Sequence, residues 1–329
     1  MNRELRIMNF LKRFAWTVAI VLVVSALVLV VAAYCSVNFA LSHSNDNYSA
    51  DREWARMKDD YPQMAGWMDS IRHTGALHDS TIVNSQGQHI HVYWLAAQQP
   101  THRTALLVHG YGACAIQMMQ LGYMYHHDLG YNIFLYDQYA HGLSDGNVIQ
   151  MGWFDRFNAL QCTQLIEQLP AFRMADGQPL QTVVHGVSMG AATTMMLSGE
   201  KDVPASVVAY VEDCGYTSVW DEFYMQAEGI SGLRLPAFPL HLASWVCQQR
   251  HDWSFQDASS LQQIRHCQRP MLFIHGSSDD YVPTCMVYPL YKAHPGPKAL
   301  WIAPGSGHAQ SYRDHPEEYT RRVRAFLEE

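Results

Sequence analysis

The feature that most narrows the folds open to this chain is the pentapeptide Gly186-Val187-Ser188-Met189-Gly190. It lies between the β-branched run Thr182–His185 and the small residues Ala191, Ala192, Thr193 and Thr194. A strand that turns into a helix across a single serine leaves no room for side chains beside the turn, hence Gly186 and Gly190 on either side. The turn lifts Ser188 above the strand end, near the positive end of the helix that starts at Met189. Gly-x-Ser-x-Gly alone arises by chance; between a strand and a small-residue helix it is specific.

The surrounding pattern extends this unit into a larger α/β architecture. Thr81–Asn84 and His89–Leu95 flank Ser85-Gln86-Gly87-Gln88, a hairpin signal. Thr104–Val108, Tyr131–Tyr136, Thr182–His185, Ser206–Val211, Met271–His275 and Ala299–Ile302 read as short apolar strands. Helical stretches lie between them: up to Leu129 with Gly130 in the stop position, around Trp153–Leu169, from Met189, and near Met286–His294 and Pro316–Leu327. Such alternation predicts a mostly parallel central sheet with helices on both faces, the hairpin adding antiparallel strands at one edge. The stretch 217–268 breaks the rhythm, with about fifty residues between consecutive core strands. It holds Trp220, Phe223, Tyr224, Leu233, Leu235, Trp245, Trp253 and Phe255, with Pro236 and Pro239. The expectation is a lid insertion over a pocket, against the alternative of a core-packing excursion.

A serine hydroxyl is a poor nucleophile until a base takes its proton, so a histidine and an orienting acid are sought downstream. His275-Gly276-Ser277-Ser278-Asp279-Asp280-Tyr281-Val282-Pro283 begins where one strand ends, and Gly305-Ser306-Gly307-His308 follows the last strand. Asp279 and His308 therefore fall on the same rim of the sheet as Ser188, where doubly wound folds place their sites. Asp280 is the adjacent alternative acid, Asp213 a third that reads as positioning its own loop, and His275 reads as holding its turn. An oxyanion needs two backbone donors. The Met189 amide is one, and the Tyr111 amide in His109-Gly110-Tyr111-Gly112 is the choice for the other.

Eighteen histidines invite a metal reading, but His89/His91 and His126/His127 lack a third ligand at fixed spacing, so packing or surface roles are expected. Seven scattered cysteines form no CxxC pair, and no disulfide is predicted. With 48% hydrophobic and only 16% charged residues, a sizeable core is available and disorder is excluded.

The amino-terminal region adds a different constraint. Residues 15–34 run for twenty residues without a charge, enough to cross a hydrocarbon core of about 30 Å. Residues 1–14 carry Arg3, Arg6, Lys12 and Arg13 against Glu4, while Asn45, Asp46 and Asp51 lie beyond the run. This asymmetry predicts a cytoplasmic amino terminus and an extracytoplasmic domain, with Trp16 and Tyr34 as interfacial aromatics. A cleaved signal peptide is the alternative; its apolar region usually covers about 7–15 residues, and this one is longer. Residues 35–80 read as a spacer that packs on the domain 81–329, with an amphipathic helix through Trp54, Met57, Tyr61, Met64 and Met68. The net charge is −8, so the chain beyond the +3 amino terminus carries −11 and offers no footprint for nucleic acid.

The motifs HGYG, DQYAHGLSDG (Asp137–Gly146), GVSMG, HGSSDDYVP and GSGH together resemble the α/β-hydrolase superfamily over residues 80–329. Within it the chain is similar to bacterial single-pass membrane hydrolases of esterase, lipase or serine-aminopeptidase type. Relatives often carry Asp-x-Arg-Gly-His-Gly-x-Ser, where this chain has Tyr139-Ala140 in place of Arg-Gly. The resemblance implies an α/β-hydrolase fold and a serine hydrolase with Ser188, Asp279 and His308 as its triad. It implies a small-molecule or lipid ester substrate and neither a metal nor an organic cofactor. The alternatives are a peptidase that removes amino-terminal residues, with Glu212, Asp213, Asp221 or Glu222 as the amine subsite, and a non-catalytic binding protein. Fold membership does not fix the substrate.

Overall fold

Strands whose side chains are apolar on both faces can only lie in the middle of a covered sheet, and this dictates the centre of the molecule. The computed structural model describes residues 2–43, 47–232 and 236–328, so Asn45, Asp46, Leu233 and Leu235 lie outside the described residues. The strands are β1 (His78–Val83), β2 (His89–Leu95), β3 (Arg103–Val108), β4 (Asn132–Tyr136), β5 (Gln181–Val187), β6 (Val207–Asp213), β7 (Met271–Gly276) and β8 (Lys298–Ala303). They form one sheet in the order β1-β2-β4-β3-β5-β6-β7-β8. The six from β4 to β8 in that order are parallel, and β1 and β2 run antiparallel at one edge. The hairpin is closed by Asn84, whose Oδ1 accepts the amides of Gln86 and Gln88 at 2.9 Å.

The helices are α1 (Asn2–Leu41), α2 (Ala50–Asp60), α3 (Ala65–His73), α4 (Met119–Tyr123), α5 (Asp155–Gln168), α6 (Met189–Ser198), α7 (Val219–Ser231), α8 (Phe238–His251), α9 (Ser260–Gln263), α10 (Val287–Ala293), α11 (Ser311–Asp314) and α12 (Pro316–Glu328). One sheet face packs Leu107, Leu135 and Val211 against Trp54, Met68 and Tyr319 of α2, α3 and α12. The other packs Leu106, Phe134 and Phe273 against Ile166, Leu197 and Leu290 of α5, α6 and α10. The expected amphipathic helix is in fact two, α2 and α3, because Pro62 follows Tyr61 and forces it out of the helical region (φ −133°, ψ 70°). Trp54, Met57, Met64 and Met68 are all buried, as an inward-facing apolar stripe requires.

A third apolar cluster sits over the carboxyl ends of the parallel strands. It joins Met189, Ala192 and Met196 of α6 to Val246 and Cys247 of α8, to Trp253 and Phe255, and to Ala33, Val37 and Leu41 of α1. Within the 217–268 stretch, α7 and α8 lie over these strand ends, while the segment with α9 returns Ile264 to the sheet core.

The largest difference from the sequence reading concerns α1. The segment read as the membrane span ends at Tyr34, yet the helix continues to Leu41 and begins at Asn2, a length of about 60 Å at 1.5 Å per residue. No glycine or proline precedes Pro62, so nothing in the chain breaks the helix at the ends of the apolar run. Most of α1 is exposed and apolar, and it is long enough to cross a membrane. Its last turns are fastened to the domain. Leu41 O accepts the Ile149 amide at 2.7 Å, His43 N donates to Asn147 O at 3.0 Å, and the Arg250 guanidinium lies 4.4 Å from the Tyr34 ring centroid.

Candidate active site

The β5–α6 junction holds Ser188 at φ 58°, ψ −121°, a conformation that a side-chain-bearing residue adopts only under constraint. The constraint is steric. A Cβ at Gly186 would lie 2.0 Å from Gly190 O, and a Cβ at Gly190 would lie 2.0 Å from Val108 O. Both glycines are therefore required, so that α6 can start directly against the end of β3. The Ser188 amide donates to Asp213 O at 2.8 Å, which ties the turn to the neighbouring strand β6.

Ser188, His308 and Asp279 meet at this rim. His308 Nε2 lies 2.8 Å from Ser188 Oγ, and His308 Nδ1 lies 2.8 Å from Asp279 Oδ2. With a carboxylate at Nδ1, that nitrogen carries the proton and Nε2 is free to accept from the serine hydroxyl. Asp279 Oδ1 accepts the amides of Tyr281 and Val282 at 3.1 and 3.0 Å. Burial alone would raise its pKa, but hydrogen bonds from His275 and His308 outweigh it and hold the carboxyl below its ordinary value. Asp280 points to solvent, whereas Asp279 is buried. His275 donates from Nε2 to Val282 O at 2.8 Å, clasping the loop that carries Asp279. Asp213 is directed elsewhere: its carboxylate accepts from Tyr319 Oη at 3.0 Å and Ser311 Oγ at 3.4 Å.

The two amides chosen as oxyanion donors flank Ser188. Met189 follows it, and the loop of Tyr111 approaches so closely that a Cβ on Gly110 would lie 3.2 Å from Ser188 Cβ. Among the described residues, neither the Met189 nor the Tyr111 N–H is taken up by an internal hydrogen bond. The loop is set from beneath by Asp137–Gly146. His141 Nε2 accepts the Gly112 amide at 3.1 Å, and the buried Asp137 carboxylate accepts the amides of Ala115 and Leu143 at 2.7 and 2.9 Å. Ala140, at the position of the glycine in the resembled Asp-x-Arg-Gly-His-Gly motif, adopts φ 65°, a left-handed backbone that an alanine holds at the cost of strain.

Ser188 opens into a cavity of about 660 Å³ with a predominantly apolar wall. Phe223, Leu240 and Leu242 of α7 and α8 contribute to it. Two further contributions complete the wall, the first of them not read from the sequence. The first is α1, through Leu29, Ala32, Ala33, Ser36, Val37 and Ala40. The available signal was a face of small residues at helical spacing in a run otherwise rich in valine and leucine. The second is Glu222, one of four acids considered together; it lines the cavity, while Asp221 accepts from Thr217 Oγ1 at 2.6 Å and Glu212 from the Gly215 amide at 3.0 Å. Among the described residues, Glu222 Oε2 has no hydrogen-bond partner, and burial pushes its carboxyl up to about 7.

The histidine pairs have local partners. His89 lies against Asp145, His91 near Asp79, His126 accepts from Trp67 Nε1, and His127 lies against Asp128. Among the described residues, Cys214, Asp279 and His308 bring three metal-ligand atoms within 4.8 Å of one another. Burial raises the Cys214 thiol well above its ordinary value, which makes it a poor thiolate ligand. All seven cysteines are free.

The family model described as the alpha/beta hydrolase family matches residues 105–322. The uncharacterized protein YqkD of Bacillus subtilis (strain 168) is 30% identical over 251 residues, covering 75% of this chain and 78% of that protein. Among solved structures, the esterase Pf2001 of Pyrococcus furiosus is similar with a TM-score of 0.60 at 20% identity, over 78% of this chain and 94% of that one. Est1E of Butyrivibrio proteoclasticus, solved with ferulic acid bound, gives a TM-score of 0.56 at 17% identity, over 75% and 97% of the two chains. At these identities the two structures speak for the fold.

The close approach at Gly190 yields a prediction. Gly190→Ala must push α6 away from the Val108 carbonyl and should destabilise the protein by at least about 1–3 kcal/mol, the range for overpacking. The measurement is the denaturation midpoint of the full-length protein in detergent; an unchanged midpoint would refute the contact.

Proposed function

This chain belongs to the alpha/beta hydrolase family, and on that footing we propose that it hydrolyses carboxylic esters, lipid esters among them, through an acyl-enzyme on Ser188. The observation that carries the reading is the relay of two 2.8 Å contacts from Ser188 Oγ through His308 to Asp279. His308 Nε2 takes the hydroxyl proton as Oγ bonds to the ester carbonyl carbon. The carbonyl oxygen, now an anion, turns toward the free amides of Met189 and Tyr111. The tetrahedral centre collapses, the C–O bond to the alcohol breaks, and the imidazolium returns its proton to that oxygen. Water then repeats the sequence on the acyl-serine, releases the carboxylic acid and restores Ser188. Asp279 keeps the imidazole oriented and balances its charge throughout. The apolar wall of the cavity favours an acyl chain over a charged group.

The second reading is a peptidase acting on free amino termini, and Glu222 is what favours it. An amine subsite needs a carboxylate facing the pocket, and Glu222 Oε2 is buried there without a partner among the described residues. Because its pKa is raised to about 7, Glu222 is largely neutral below pH 7 and charged above it. A peptidase of this design would bind aminoacyl amides more tightly as pH rises through 7. Ester hydrolysis would not need the charge.

Residues 15–34 are proposed to anchor the chain across a membrane, with the basic residues 1–14 in the cytoplasm and the catalytic domain outside. Helices α7 and α8 serve as the lid over the site.

Four tests follow from these assignments. Ser188→Ala and His308→Ala should each lower kcat by about 10³-fold or more without adding when combined, and Ser188→Ala should abolish labelling by a fluorophosphonate. Asp279→Asn should lose most activity and Asp280→Asn little; a reversed order would transfer the acid role to Asp280. Glu222→Gln should leave p-nitrophenyl ester turnover near wild type, whereas a rise of about tenfold or more in KM for an aminoacyl amide, with that amide the better substrate, would favour the peptidase. Full-length protein should sediment with membranes and be cut by external protease in spheroplasts; recovery in the soluble fraction would reject the anchor.

A further inference from the structure

The helix that is long enough to cross a membrane is also a wall of the cavity that contains Ser188. Leu29, Ala32, Ala33, Ser36, Val37 and Ala40 recur at three- and four-residue spacing, so they form a single face of α1, about 16 Å long. Leu29, Ala32 and Ala33 belong to the uncharged run 15–34, and Ser36, Val37 and Ala40 carry the same face onward over the strand ends. The far end is fixed at the reaction centre itself. Tyr111, whose amide is the proposed oxyanion donor, donates its hydroxyl proton to Ala40 O at 2.8 Å. Opposite this face stand Phe223, Leu240 and Leu242, so the passage between α1 and α7–α8 is predominantly apolar. The other side of α1 is exposed and bulky, with Leu27 and Val31.

A wall that begins within the hydrocarbon span and ends at a nucleophile has a direct physical consequence. A long acyl ester dissolved in a bilayer would have to strip its chain into water to reach a site that faces only solvent, and this penalty grows with every methylene. A passage bounded by the membrane helix removes that step.

Resting on the ester-hydrolase reading of Ser188, we propose that the substrate is a membrane-resident ester with a long acyl chain. The chain enters from the adjacent half of the bilayer along the Leu29–Ala40 face of α1, which makes the anchor part of the acyl site. Hydrolysis consumes one water, whose oxygen goes to the acyl carbon as the C–O bond to the alcohol breaks and the alcohol oxygen gains a proton. The fatty acid product returns along the same face.

The test uses the full-length chain reconstituted in phosphatidylcholine vesicles. Two esters with one leaving group, 4-methylumbelliferyl oleate incorporated in the vesicles and water-soluble 4-methylumbelliferyl acetate, separate chain entry from chemistry. Ala32→Trp and Ser36→Trp each place an indole in the passage at positions exposed enough to avoid disturbing the core. Val31→Trp adds the same bulk to the opposite, exposed face. The ratio of oleate to acetate turnover should fall about tenfold or more in Ala32→Trp and Ser36→Trp, within the range a filled apolar pocket imposes, and should stay near wild type in Val31→Trp. A parallel fall for both esters, an unchanged ratio, or an equal effect of Val31→Trp would overturn the route. Absence of turnover of both esters in the wild-type protein would overturn the ester reading itself, and the inference with it.

Discussion

At the start of α6, the backbone of Gly190 lies so close to the carbonyl of Val108 that no side-chain atom fits between them, and the geometry of the site grows from this approach. It joins the end of β3 to the turn that follows β5, so the loop that carries Tyr111 and the turn that carries Ser188 cannot move independently. Ser188 is lifted into a left-handed conformation, and its amide is held by Asp213 O on the next strand. The other two members of the constellation arrive from β7 and β8, whose parallel register brings the Asp279 and His308 loops to the same edge.

The buried carboxyls show how one environment is divided into different chemistries. Burial raises the pKa of Glu212 to about 8, of Asp213 to about 6 and of Glu222 to about 7. Asp279 is buried as well, yet two backbone amides and two imidazoles surround it, and its pKa falls. The carboxyl beside His308 is therefore the one whose charge is secured by its neighbours. The others are free to be neutral, and they serve the packing of α12, the β6 turn and the cavity wall.

Helix α1 has one apolar chemistry from end to end. Its apolar residues suit a hydrocarbon phase along most of its length, and the same chemistry suits the third core cluster at its end. Because the helix continues without a glycine or proline, the portion inside the domain keeps the rotational phase of the portion outside it. A face that packs against α8 at Val37 must extend in register to Leu29. A flexible tether could not have carried such a face.

Much of this organisation is legible along the chain because it depends on local rules. Strand alternation, the steric demand of the Gly-x-Ser-x-Gly turn, the order of Ser188, Asp279 and His308, and the length of the uncharged run are each set by neighbouring residues. The break at Tyr61–Pro62 was equally local, since proline restricts the residue before it. What the chain alone left open were matters of direction and assembly. Asp279 and Asp280 are adjacent and chemically equivalent until the fold buries one and exposes the other. Of four acids near the β6 end, only the packing of α7 turns Glu222 toward the cavity. The role of α1 depends on residues 29–40 meeting Tyr111, 71 positions beyond Ala40, and the still more distant α7 and α8, and no local pattern encodes such distances. The sequence by itself determined the sheet and the helix able to span a membrane. Only the tertiary structure decided that this helix and the nucleophile share one cavity.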